Sequence, residues 1–157
     1  MKATTNAKRM KKLFFLFAML AVSVTMMAKT VDECFEQAKQ IPGADVTELS
    51  ADELKMAAAF MPQMAEMFSA CEGMRTIEVS DDTGDAALAL VNCFTGDIDD
   101  YALIDQESDY VWMRMDESGQ ITGMLVLSVD DKAASIMEMI INMTPDEFAA
   151  FAEKFGN

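Results

Sequence analysis

Apolar residues recur at two different spacings along the chain after residue 28, and each spacing predicts one type of element. Spacings of three and four residues are typical of amphipathic helices. They occur over residues 31–41, 51–70, 85–94 and 145–155. Alternation of apolar and polar positions, or a short apolar run between turn residues, is typical of strands. Such segments lie at residues 45–49, 74–80, 110–116 and 120–129.

Residues 133–142 are ambiguous. The run Ile136-Met137-Glu138-Met139-Ile140-Ile141 is almost continuously apolar. A buried strand and a buried helix both have this pattern, so periodicity does not separate them. Both alternatives therefore stay open for this segment.

Local signals predict where the elements begin and end. Ser50 and Glu53 form the pattern of a capping box at the start of the second helix. Pro62 should kink that helix or split it into two, and residues 71–73 should end it. Thr144, followed by a proline and Glu147, predicts the cap of the last helix.

The order of these elements predicts one α+β domain over residues 29–157. Residues 116–119 (DESG) suit a hairpin turn with Gly119 at positive φ, which joins two of the strands. We expect a mainly antiparallel sheet with a C-terminal strand meander, covered by amphipathic helices.

The first 28 residues have the pattern of an export signal. Four basic residues at positions 8–12 precede an apolar run over residues 13–24, and Ala28 is a small residue at the expected cleavage site. The run is too short to cross about 30 Å of hydrocarbon as a helix. We therefore expect residues 1–28 to be a signal peptide and the mature protein to be periplasmic or secreted. No lipid-anchor context precedes Cys34, so we expect a soluble protein without a membrane anchor.

The mature chain is strongly acidic. Seven Lys and Arg remain after residue 28 against 27 Asp and Glu, a formal net charge of −20. Such a charge repels phosphate backbones and anionic lipids, which argues against nucleic-acid binding. The chain has no His, which excludes a Ser-His-Asp triad and a His-ligated zinc. We expect no catalytic, cofactor-binding or metal-binding residues and no cofactor.

Cys34, Cys71 and Cys93 are three thiols in a chain expected to leave the reducing cytoplasm. One disulfide with one remaining thiol is compatible with the sequence, and all three pairings stay open. Burial as small apolar side chains is the simpler interpretation. A redox-active thiol is the less favoured one.

The sharpest chemical pattern is the set of thioethers at Met61, Met64 and Met67, with Met56 and Met74 nearby. Thioethers spaced three apart lie close on a helix and suit Cu(I). Met61 and Met64 also belong to the apolar stripe that the helix should bury. Core packing is therefore the favoured interpretation, and copper binding is the alternative.

Three acidic clusters offer hard oxygen ligands for Ca²⁺, at residues 81–85, 97–100 and 105–109. None has the spacing of a calcium-binding loop, so solvated loops are the favoured interpretation. Among 27 acidic residues, some pair will have the carboxylate spacing of a glycosidase by chance. Such pairs therefore do not indicate a glycosidase. Tyr110 and Trp112 share one face of a predicted strand and should pack in the core rather than form a binding platform.

Four segments together carry a family resemblance: residues 31–35 (VDECF), 41–46 (IPGADV), 73–77 (GMRTI) and 118–127 (SGQITGMLVL). With the signal pattern, they resemble the exported bacterial family catalogued as domain of unknown function 4252. The resemblance implies an α+β domain from the envelope of Bacteroides-like bacteria, without an established activity. It also favours a strand for residues 136–142.

The functional expectation is an exported, non-enzymatic domain that acts through an unknown protein partner in the bacterial envelope. The alternative is a soft-metal or cation-binding envelope protein that uses the Met-rich helix or the acidic loops. The partner and the oligomeric state are not specified by the sequence.

Overall fold

The computed structural model describes residues 28–155 and contains, within that range, five α-helices and six strands. The helices are α1 (Val31–Lys39), α2 (Ala51–Phe60), α3 (Ala65–Ala70), α4 (Asp85–Cys93) and α5 (Pro145–Phe155). The strands are β1 (Asp45–Ser50), β2 (Cys71–Ser80), β3 (Ala102–Asp105), β4 (Tyr110–Met115), β5 (Ile121–Val129) and β6 (Ala133–Met143). The predicted signal peptide lies outside the described residues, apart from Ala28.

The six strands form one open sheet in the order β1-β2-β6-β5-β4-β3, and every neighbouring pair is antiparallel. Strands β3 to β6 form a meander at the C-terminal side of the chain, so the predicted α+β class is confirmed. The ambiguous segment at residues 133–142 is a strand. It lies between β2 and β5 in the middle of the sheet. Over residues 28–155, no helix has both the length and the apolar character that a membrane span requires.

Helices cover both faces of the sheet, which explains the nearly continuous apolar run of β6. On the first face, α1 and α4 pack on β2, β5 and β6, and Phe35, Phe94 and Ile136 are fully buried there. On the second face, α2, α3 and α5 pack over β1, β2 and β6 around Leu54 and Met139. Successive residues of β6 alternate between these two cores.

The predicted capping signals are present. Ser50 Oγ accepts a hydrogen bond from the Glu53 amide, and the Glu53 carboxylate accepts one from the Ser50 amide at 2.8 Å. Thr144 and Glu147 make the same reciprocal pair at the start of α5. Pro62 splits the second predicted helix, because α2 ends at Phe60 and a 3₁₀ turn precedes α3.

The structure differs from the expectations in three details. The helix ends before residues 71–73, as expected, but β2 begins at Cys71 rather than at Met74, because Cys71 pairs with Ile141 across a bulge. Strand β3 was not predicted. Met61 does not continue the buried stripe and is 40% exposed, because the break at Pro62 turns the chain away from the helical path.

Candidate functional site

A polar cluster is buried under the first face of the sheet, around Glu138 in β6. Only 3% of Glu138 is exposed. Its Oε1 accepts a hydrogen bond from the Tyr101 hydroxyl at 2.8 Å, and its Oε2 accepts one from Arg75 Nε at 2.5 Å. Both carboxylate oxygens therefore have partners, as a buried charge requires.

Arg75 connects this cluster to helix α1. Its second terminal nitrogen donates to Asp32 Oδ1 at 2.6 Å, and its guanidinium lies over the Phe35 ring, 4.0 Å from the ring centroid. Burial lowers the pKa of Arg75, but the hydrogen bonds and charges of Asp32 and Glu138 outweigh it and the pKa is raised. Arg75 thus stays cationic and ties β2, β6 and α1 together.

The Tyr101 hydroxyl fits into the cluster because position 123 is a glycine. A Cβ at Gly123 would collide with this hydroxyl, and would lie 3.0 Å from Tyr101 Cζ and 3.1 Å from Arg114. Burial raises the pKa of Tyr101 well above its ordinary value, and the Glu138 carboxylate adds to this. The hydroxyl therefore remains a proton donor to Glu138.

An open cleft of about 630 Å³ lies beside the cluster, between α1 and the end of β1. Charged side chains of both signs line it together with apolar ones, among them Asp32, Glu48, Glu53, Arg75, Arg114, Leu49 and Met74. Arg114 donates to the Thr122 hydroxyl and carbonyl, both at 3.0 Å, and its guanidinium lies 5.2 Å from the Tyr101 ring centroid. The hydrogen bonds of Arg114 join β4 to β5, and those of Arg75 join β2 to β6 and α1.

A row of four methionines crosses the second face of the sheet. Met74 of β2 lies opposite Met139 of β6, Met139 lies opposite Met124 of β5, and Met124 lies opposite Met113 of β4. We call these four residues the methionine row. Met139 is buried, whereas the other three are half-buried. The buried member therefore lies within the row, and the methionines on either side of it are more accessible.

The second face is only partly enclosed. Helices α2, α3 and α5 pack over β1, β2 and β6, while apolar side chains across β4, β5 and β6 remain half-buried. We call this surface the open face; it consists of Val111, Met113, Met124, Val126 and Met137. Beyond it, Met115 is 52% exposed and Ile104 of the edge strand β3 is 53% exposed.

The structure does not bring the methionines of the second predicted helix together on one helical face. Met61 is at the C-terminal end of α2, Met64 is in the 3₁₀ turn and Met67 is in α3. Met64 and Met67 are half-buried and pack against the same core as Met74, whereas Met56 is 65% exposed. Core packing is thus confirmed for Met64 and Met67, but not for Met61.

Two of the three acidic clusters hold the local backbone by side-chain hydrogen bonds. Asp81 accepts hydrogen bonds from the amides of Gly84 at 2.5 Å and Ala86 at 3.0 Å, which caps α4. Asp105 accepts from the amide of Glu107 at 3.0 Å. Within residues 28–155, no group of three or more Cys, Asp or Glu side chains is arranged to hold a metal ion.

The sheet separates the three cysteines into two groups. Cys34 of α1 is in the first core, against which Cys93 of α4 packs, and the nearby Cys93 contributes to the raised pKa of Cys34. Cys71 is in the second core, on the other face. Burial raises the pKa of Cys34 to about 11, although Lys29 opposes this, and burial also raises the pKa of Cys71.

The two aromatic residues of β4 pack in the first core, as predicted. Trp112 is 4% exposed, and the Tyr110 ring stacks against it at a centroid distance of 6.0 Å. Burial raises the pKa of Tyr110. Neither ring therefore forms an open binding platform.

The sequence reasoning missed both the cluster around Glu138 and the methionine row. One signal for the cluster was present: Arg75 and Arg114 are the two arginines after residue 28, and Glu138 is the one charge inside an apolar run. The methionine row has no comparable signal, because its members meet through the strand register. Comparisons with protein-family models, curated proteins and solved structures found no match to this chain.

Proposed function

We propose that this protein is an exported, non-enzymatic domain of the bacterial envelope that works by binding another protein through the open face. The observation that carries the proposal is the open face itself, where apolar side chains across three adjacent strands are left half-buried. Contiguous apolar surface on a folded domain is typical of a contact surface. The signal pattern of residues 1–28 supports export.

The charge of the domain indicates the chemistry of the partner. Exposed acidic side chains lie at the end of β3 (Asp105) and in the loops that follow β3 and β4 (Glu107, Asp116 and Glu117). A partner that fits would present apolar side chains surrounded by Lys or Arg. A second copy of this chain fits poorly, since two domains that each carry a net charge of −20 repel one another.

The polar cluster supports a non-enzymatic role. Catalysis by a carboxylate requires an oxygen that can reach a substrate proton or a reacting carbon. Glu138 lines the cleft, but both of its oxygens are already engaged by hydrogen bonds from Tyr101 and Arg75. The cluster thus stabilises the sheet that presents the open face.

Position-specific photo-cross-linking in cells tests the proposal. A photoreactive amino acid is placed at Val126 or Met113 on the open face, and at Leu88 as a control. Leu88 is apolar and 42% exposed, but it lies on α4 over the first face. We expect the same cross-linked species from positions 126 and 113, and none from position 88.

Three results would overturn the proposal. The first is no cross-linked species from either open-face position. The second is an equal yield of the same species from position 88. The third is a product with the mass of two copies of this chain, which would make the open face a self-association surface.

A further inference from the structure

The methionine row places four methionines in register on one side of the sheet. Side chains that lie directly opposite each other on neighbouring strands point to the same face, with Cβ atoms about 4.5–5.5 Å apart. Met113, Met124 and Met139 occupy three consecutive positions of this kind across β4, β5 and β6. The long, flexible methionine side chains can therefore converge on one point.

We propose that Met113, Met124 and Met139 form a binding site for one soft monovalent metal ion, Cu(I) or its analogue Ag(I). Three thioethers give a neutral set of soft ligands, which suits these ions and rejects hard ions such as Mg²⁺ and Ca²⁺. Met139 forms the buried floor of the site. Met113 and Met124 are half-buried and leave a route from solvent.

The charge of the domain favours a cation at this place. Neutral ligands do not compensate the charge of the metal ion, but the mature chain has a formal net charge of −20. The resulting negative potential raises the local concentration of cations. The thioether set then selects the soft ones among them.

Packing accounts fully for Met139 but leaves part of Met113 and Met124 accessible. Methionine is a common filler of irregular cores, and this explains Met139, which is 4% exposed. Met113 and Met124 also pack against this core, but they stay half-buried and follow Met139 in register across the neighbouring strands. The metal site also differs from the one that helical spacing suggested, because Met61 lies outside it and 40% of its surface is exposed.

Methyl NMR of the native chain tests the site directly. The protein is labelled with ¹³C at the methionine methyl groups and titrated with Ag(I). The three thiols bind Ag(I) more tightly than thioethers and should take up the first equivalents. With further Ag(I), we expect the signals of Met113, Met124 and Met139 to shift together and to saturate, while the signal of Met56 stays unchanged.

Variants and pH distinguish the thioether site from the thiols. Met124→Leu conserves volume and should weaken this binding step at least tenfold, whereas Met56→Leu should leave it unchanged. Thioethers do not titrate, so the affinity of this step should be the same at pH 5.5 and 7.5. Binding to thiols would weaken at the lower pH, because it displaces protons.

The metal site is overturned if the three signals do not move, or if the exposed Met56 shifts equally. It is also overturned if Met124→Leu binds as well as the native chain. These outcomes are independent of the protein contact, since photo-cross-linking from Val126 is measured without added metal. Failure of one proposal therefore does not decide the other.

Discussion

Glu138 illustrates how single residues determine the interior of this domain. It is a charged residue in an otherwise apolar run of β6. Its burial is possible because Arg75 and Tyr101 donate hydrogen bonds to its two carboxylate oxygens. These partners lie 63 and 37 residues away in sequence, so no local pattern could identify them. Gly123 has an equally specific role, since the absence of a side chain makes room for the Tyr101 hydroxyl.

Gly123→Ala tests this arrangement. The added methyl group would displace Tyr101 from Glu138, and overpacking of this kind costs about 1–3 kcal/mol of unfolding free energy. Gly73→Ala is the matched control, because a Cβ there meets its nearest atoms at ordinary distances of 3.7 and 3.8 Å. Chemical denaturation should show a clear loss of unfolding free energy for Gly123→Ala and a much smaller loss for Gly73→Ala.

A second substitution makes that prediction more specific. Removing the hydroxyl by Tyr101→Phe should restore part of the stability of Gly123→Ala, because the clash involves that oxygen. Strictly additive losses in the double variant would contradict the proposed clash.

The placement of the cysteines predicts both their reactivity and their pairing. Burial raises the pKa of all three thiols, that of Cys34 to about 11. At pH 8, iodoacetamide should modify Cys93 before Cys34 and Cys71, because Cys93 is the most exposed of the three. When diamide oxidises the native chain, the intrachain disulfide should join Cys34 to Cys93, since Cys71 lies on the other face. Peptide mass mapping checks both results, and a disulfide that includes Cys71 would contradict the separation.

At the scale of elements, the sequence predicts helix starts and breaks well, because the interactions that determine them involve residues close together in the chain. Ser50 with Glu53, Thr144 with Glu147, and Pro62 each act within a few residues, and the structure has the caps and the helix break that they predict. The N-terminal part of β2 and the strand β3 were not predicted, because pairing with distant strands stabilises them. The segment now assigned to β6 was ambiguous because it is buried on both faces.

Helix α4 depends on an acidic cap that should be sensitive to pH. Desolvation raises the pKa of Asp81. Hydrogen bonds from the amides of Ala86 and Gly84 and from Thr83 outweigh desolvation, so the pKa lies below its ordinary value of 3.8. A carboxylate with a lowered pKa stabilises the folded state above its unfolded pKa. This contribution is lost as the pH falls through the lower, folded-state value.

Asp81→Asn should therefore lower the midpoint of chemical denaturation at pH 6, and its difference from the native chain should shrink as the pH falls below about 4. Asp82→Asn removes the same charge from the neighbouring exposed position and serves as the control. A difference that stays constant down to pH 2.5 would show that Asp81 does not act through its charge.

At the scale of the whole molecule, α1 and α4 pack on the first face of the sheet, and α2, α3 and α5 cover the second face only in part. The α+β class and the meander follow from the order of elements in the sequence. The open face and the methionine row could not be predicted in the same way, because they require the strand order and the register of β4, β5 and β6. Composition contributed the net charge, on which the proposed basic character of the partner rests.

The most direct test of the central claim compares two matched charge substitutions in cells that produce the tagged protein. Val126→Asp adds a charge on the open face without removing a proposed metal ligand, and Leu88→Asp adds the same charge over the first face. After in-cell cross-linking and quantitative mass spectrometry, the open-face account predicts that the partner of the native chain is retained by Leu88→Asp and lost by Val126→Asp, with both variants folded by circular dichroism. Equal recovery of the partner with both variants would contradict it.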